Sequence, residues 1–208
     1  MPSRTDPVDW TPALGHLAEA DPRLRPLIEK HGAPTLAPRK DPVESLARAI
    51  VGQQLSGAAA ATIWGRVLAL YPRGRFPKAQ AILDTDDATL RGAGLSGAKA
   101  AALKDLARHV VDGKLVPRKL PTATDDEIAA MLLPVRGIGP WSVDMFLMFA
   151  LARPDVLPVG DLGVRKGMQR HFRLRKLPEA PRMRSLAEPW RPYRSIGAWY
   201  MWRLLEAG

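Results

Sequence analysis

One stretch constrains the backbone more tightly than any other: Leu132-Leu-Pro-Val-Arg-Gly-Ile-Gly-Pro-Trp-Ser-Val-Asp144. Ahead of it, Thr124 with Glu127 three residues on is a capping-box pattern. It opens a helix with Ile128, Met131 and Leu132 on one side. Pro134 stops that helix, because its ring and missing N–H do not suit a helix interior. Gly137 and Gly139 flank a single apolar residue, so the backbone can turn sharply there and expose its amides. Pro140 then suits the first turn of a new helix, Trp141 to about Leu151. The pattern over residues 124–151 is helix, hairpin, helix. Amides at a helix N-terminus attract anions, and in a chain of net charge +10 a phosphate diester is the natural guest.

A second segment follows, Val156-Leu-Pro-Val-Gly-Asp-Leu-Gly-Val-Arg-Lys-Gly167. Asp161 stands where an N-cap belongs, before a helix from Leu162 to Phe172 that carries Arg165, Lys166 and Arg170. Elsewhere the apolar spacing is helical. Asp21-Pro22 starts a helix to Gly32, Asp41-Pro42 starts another to Gln54, and Ser56 caps a third, Ala58 to Tyr71. Residues 71–77 read as a connection, Asp86 to Arg91 as a short helix, and Ala98 to Val111 as a long one. Residues 173–181 are basic and proline-bearing, and a last helix runs from about Ser195 to Ala207. No alternating strand pattern is present. The expectation is an all-α protein of about ten helices.

Absences narrow the chemistry. Without cysteine there is no disulfide, thiolate nucleophile or cysteine-ligated iron–sulfur cluster. Four scattered histidines give no metal-ligand spacing. No apolar run reaches the roughly eighteen residues of a membrane span, and Met1-Pro-Ser-Arg-Thr-Asp6 lacks an apolar signal core. An intracellular, DNA-associated protein without a membrane partner is expected, and a monomer, since no heptad seam is visible.

The hairpin and the Asp161 segment together resemble the helix–hairpin–helix DNA glycosylases, and more narrowly their alkylpurine branch, DNA-3-methyladenine glycosylase II. Three further stretches carry the narrower likeness: Ala49-Ile-Val-Gly-Gln-Gln-Leu-Ser-Gly-Ala-Ala-Ala60, Gly94-Leu-Ser-Gly-Ala-Lys-Ala-Ala-Ala-Leu-Lys104 and Trp190-Arg-Pro-Tyr-Arg-Ser-Ile-Gly-Ala-Trp-Tyr-Met-Trp-Arg203. The likeness runs from about residue 42 to 205. It implies two helical lobes with a cleft between them. One lobe would hold residues 42–153; the other would join 1–41 to 154–208.

The resemblance also implies roles. Asp161 would be the catalytic carboxylate, stabilising positive charge at the deoxyribose C1′ and orienting water. Asp144 is an alternative acid, with a structural hydrogen bond as its other role. Strand-cutting relatives place a lysine two residues after the second hairpin glycine. Trp141 stands there instead, which implies water as nucleophile and no lyase activity. Trp141 and Trp202 would offer indole faces to a cationic alkylated base. Met145, where the branch can have tyrosine, would leave a roomier pocket. Gln54, or less readily Leu55, would fill the gap left by the flipped nucleotide. Gly137, Gly139, Ser142, Lys99, Arg165 and Lys166 would contact DNA. A sodium or potassium ion would rest on the carbonyls of Leu133, Val135 and Ile138; no other cofactor is required. The expected activity is monofunctional release of alkylated bases such as 3-methyladenine and 7-methylguanine from double-stranded DNA. The alternatives are a glycosylase for an oxidised or mismatched base and a non-catalytic DNA-binding module.

Overall fold

The computed structural model describes residues 8–206. Met1 to Asp6, read above for a signal core, and Ala207, the expected end of the last helix, lie outside the described residues. Among those described, the chain forms twelve α-helices and four short 3-10 turns, with no strand. Two compact units divide it. One is Asp41–Val143; the other takes the described residues up to Lys40 and those from Asp144 onward. The second break falls inside a helix, ten residues before the 153/154 boundary expected from sequence.

The continuous unit contains α3 (Pro42–Gly52), α4 (Gly57–Ala69), α5 (Ala79–Asp84), α6 (Asp87–Gly92), α7 (Gly97–Val111) and α8 (Asp125–Leu132). Each start has a chemical cause. Asp41 accepts from the Val43 and Glu44 amides, and Ser56, Asp86, Ser96 and Thr124 each accept from the third residue of their helix. The Thr124–Glu127 capping box is present in both directions. Such caps contribute about 1 kcal/mol each. Helix α7 is the spine, with α3, α5 and α6 packed against it. Leu46 and Ile50 of α3, Leu103 and Leu106 of α7, and Ile128 and Leu132 of α8 are all buried.

The discontinuous unit contains α1 (Thr11–Ala20), α2 (Arg25–His31), α10 (Leu162–His171), α11 (Ala180–Leu186) and α12 (Arg194–Glu206). Helix α9 (Pro140–Phe149) begins in the other unit and continues into this one. Helices α10 and α12 cross closely: a Cβ at Gly167 would lie 2.4 Å from the Met201 carbonyl oxygen. Asp21 is a buried carboxylate of this unit. Its carboxylate accepts from His171 Nε2 at 2.8 Å, Arg23 Nε at 2.7 Å and Trp190 Nε1 at 3.2 Å. Burial alone would raise its pKa, but those hydrogen bonds outweigh it and hold the carboxyl far below its ordinary range.

Two helices escape the sequence pattern, α5 and α11. Each has fewer than two full turns and a single buried residue, Ile82 and Met183 respectively, so neither shows a period. The helix expected from Asp21-Pro22 starts instead as a 3-10 turn, Pro22–Leu24, before α2.

Candidate DNA-binding turns and acidic site

In the continuous unit, the hairpin joins α8 to α9. Gly137 has φ +80°, a conformation open to glycine and strained for other residues. Val135 N–H donates to Leu132 O and Ile138 N–H to Val135 O, which closes the turn. The first bond of α9 runs from Val143 N–H to Gly139 O. The amides of Gly139 and Ser142 lie ahead of that bond, at the positive end of the helix dipole. Val135 and Ile138 are buried, while Leu133, Gly137 and Trp141 are exposed. Trp141 is 46% exposed, so it is not a core residue.

The turn between α3 and α4 separates its two glutamines. Gln53 ends α3, and its Nε2 donates to Gly137 O at 2.8 Å. Gln54 has φ +58°, and Leu55 N–H returns to Gly52 O at 3.2 Å. Gln54 and Leu55 are both exposed. Lys99 does not extend into solvent. Its Nζ donates to Val51 O at 2.8 Å, and burial lowers its pKa.

The acidic site belongs to the other unit. Asp161 N-caps α10, and its Oδ1 accepts from the Val164 amide at 2.8 Å and from Trp202 Nε1 at 2.9 Å. That indole can approach because residue 163 is glycine. A Cβ there would lie 2.8 Å from the indole and 3.0 Å from Asp161 Oδ1. The Phe149 ring packs against Trp202 with centroids 5.7 Å apart. Sequence reasoning missed Gly163 and Phe149. The Gly163/Gly167 spacing was a legible signal of close helix approach; nothing in the pattern marked Phe149.

Asp144 and Met145 lie half-buried on α9. Burial pushes the Asp144 carboxyl up to about 6, opposed by the charge of Arg184. The structural hydrogen bond expected for Asp144 is not formed among the described residues. Arg165 turns back to donate to Pro178 O at 3.1 Å, whereas Lys166 is exposed. No cluster of metal-ligating side chains occurs among the described residues, and none of their helices is long and apolar enough to cross a membrane.

Known proteins are similar to this chain in sequence and fold. The chain is 34% identical over 192 residues to DNA-3-methyladenine glycosylase 1 of Schizosaccharomyces pombe, covering 91% of this chain and 84% of that protein. The solved structure of the S. pombe 3-methyladenine DNA glycosylase Mag1 in complex with abasic DNA superposes with a TM-score of 0.81. It is 33% identical and covers 93% of this chain and 96% of that one. The crystal structure of a DNA-3-methyladenine glycosidase from Bacillus halodurans gives 0.82 at 32% identity, covering 97% and 92%. Residues 47–192 match the family model described as HhH-GPD superfamily base excision DNA repair protein. The chain therefore belongs to the HhH-GPD superfamily of base-excision DNA repair proteins.

Proposed function

We propose that this protein is a monofunctional DNA glycosylase that releases alkylated bases, 3-methyladenine and 7-methylguanine among them, from double-stranded DNA in base-excision repair. The observation that carries the reading is Asp161, a carboxylate fixed through one oxygen by a helix amide and an indole. A carboxylate so held is preorganised for the positive charge that grows at C1′ as the base leaves. The C1′–N bond breaks and its electron pair departs with the base. A water oxygen then bonds to C1′, and its proton passes to Asp161 or to solvent. A purine alkylated at ring N3 or N7 carries positive charge, so it leaves without prior protonation by an acid.

The other site residues take supporting roles in this proposal. Trp202 and Trp141 supply indole faces for a cationic base, and Met145 adds adaptable space. Asp144 is a secondary acid. Gly137, Gly139 and Ser142 contribute hairpin amides to DNA phosphate, with Arg165 and Lys166 adding charge. Gln54, with Leu55 as its substitute, fills the gap left by the extruded nucleotide. The neutral carbonyls of Leu133, Val135 and Ile138 suit a hard monovalent cation, whose part would be structural. With Trp141 where strand-cutting relatives have lysine, water is the nucleophile and no strand scission accompanies release. The protein would act as a monomer in the compartment that holds the DNA.

The test is base release from duplexes containing 3-methyladenine, 7-methylguanine or 1,N6-ethenoadenine, by wild type and Asp161→Asn. Release by wild type alone, with strand breaks appearing only after alkali, is expected. No release by wild type, with DNA binding intact, would remove the proposal.

A further inference from the structure

We infer that Gln53 is a positioning residue: its tie to the Gly137 carbonyl, backed by one face of α7, sets the spacing between the turn that presents Gln54 and the hairpin. This rests on the proposed function, because it assigns those two turns to the same duplex.

The two neighbouring glutamines have opposite surroundings. Where the chain leaves α3, Gln53 takes φ −52° and ψ 133° and sends its amide 84 residues along the chain to Gly137 O. Gln54 then adopts φ +58°, which reverses the backbone and leaves its side chain exposed at the turn. A flat amide pointing out and another pointing in are different instruments. The outer one can enter a base stack. The inner one is spent on the hairpin.

Helix α7 supports both turns from a single face. Lys99, Ala102 and Asp105 are three residues apart, so they stack along one side of the helix. Lys99 Nζ holds Val51 O, near the C-terminal end of α3, at 2.8 Å. Ala102 lies under the hairpin: a Cβ on Gly137 would meet its methyl at 3.4 Å. Asp105 Oδ2 accepts from the Arg136 amide at 2.8 Å. One end of the face holds the α3 turn, the other end holds the hairpin, and Gln53 spans directly between them. Lys99 therefore acts on DNA through the α3 terminus, not through a phosphate.

This matters for function because duplex DNA has fixed dimensions. A gap-filling side chain helps only if it arrives at the vacated stack while the hairpin grips the backbone. An error of about 1 Å in such an arrangement can cost on the order of a hundredfold in rate. A tie that served folding alone would have no such dependence on the substrate.

The experiment uses that difference. Single-turnover release of 7-methylguanine is measured in two duplexes, one with cytosine opposite the lesion and one with a stable abasic analogue opposite. In the second, the stack is already broken and extrusion needs little help. A neighbouring 2-aminopurine reports unstacking by fluorescence. Gln53→Ala, and Gln53→Glu, which keeps the length but cannot donate, should slow release about tenfold with cytosine opposite and weaken the fluorescence change. Opposite the abasic analogue both should stay within about twofold of wild type. Lys99→Met should follow the same pattern, at about threefold. Equal losses on the two duplexes, with a lowered Tm, would reduce Gln53 to a folding role and overturn the inference. Unchanged rates on both would overturn it as well. No release by wild type from either duplex would overturn the proposed function, and this inference with it.

Discussion

The unit built on α10 and α12 holds two of its carboxylates by pairing them with fixed donors. Asp21 is buried with three side-chain donors, and Asp161 is gripped by an amide and an indole. The unit built on α7 does the reverse. The groups proposed to meet DNA, Gln54, Leu55 and Gly137, stand exposed on turns, and what holds the turns is mostly main chain: Val51 O, Gly137 O and the Arg136 amide. The contrast follows from the tasks proposed for each. A carboxylate that stabilises charge gains from low dielectric and fixed donors. Turns that grip a phosphate backbone must offer their amides to solvent before DNA replaces it.

That contrast predicts where losses will appear. The largest should come from Asp161→Asn, which lowers single-turnover base release by about a thousandfold while DNA affinity changes by less than about threefold. A comparable loss of affinity would break the division of labour. Next is Asp21→Asn, which replaces the acceptor shared by His171, Arg23 and Trp190 with a neutral amide and should lower stability by about 2–3 kcal/mol at neutral pH, read by denaturant unfolding. Because the folded-state pKa of Asp21 is depressed, its contribution is complete above the ordinary value of 3.8 and is lost as pH falls below it. The difference from wild type should shrink in acid accordingly.

Gly163→Ala comes third. Its methyl would push the indole away from Asp161, lowering kcat about 10–100-fold with the DNA Kd preserved. Gly137→Ala probes the other unit. It forces a side chain into φ +80° and toward the Ala102 methyl, at a cost of about 1–2 kcal/mol. A five- to thirtyfold weaker Kd with kcat retained at saturating DNA is the expected outcome. The smallest effect should be Asp144→Asn. With the carboxyl raised to about 6, the folded protein holds that proton more tightly than the unfolded chain does. Stability should therefore decline as pH rises from 3.8 to about 6 and stay lowered above it. The asparagine variant should gain about 1 kcal/mol above pH 6, after allowance for solvent screening, and nothing in strong acid. A flat difference across that range would remove the burial argument.

Reading from sequence went furthest where the chemistry is local. The Thr124–Glu127 box, the Ser56 cap, the Pro134 stop and the Gly137 turn depend on residues within four positions of each other, and all are present. The all-helical class followed from the same signals. Helices α5 and α11 were lost because each has one buried side chain and no side-chain cap at its start, whereas Asp86 caps and marks the equally short α6.

What the sequence by itself determined is therefore the set of turns, the caps, the absence of thiol chemistry and the identity of the acid at a helix start. Only the tertiary structure decided that Gln53 is tied to the Gly137 carbonyl while Gln54 stands exposed, that Lys99 serves Val51, and that Gly163 admits the Trp202 indole to Asp161. Those pairs are separated by 84, 48 and about 40 residues along the chain. A side chain's partner at such a distance is chosen by how whole helices pack, and no local pattern of residues encodes that.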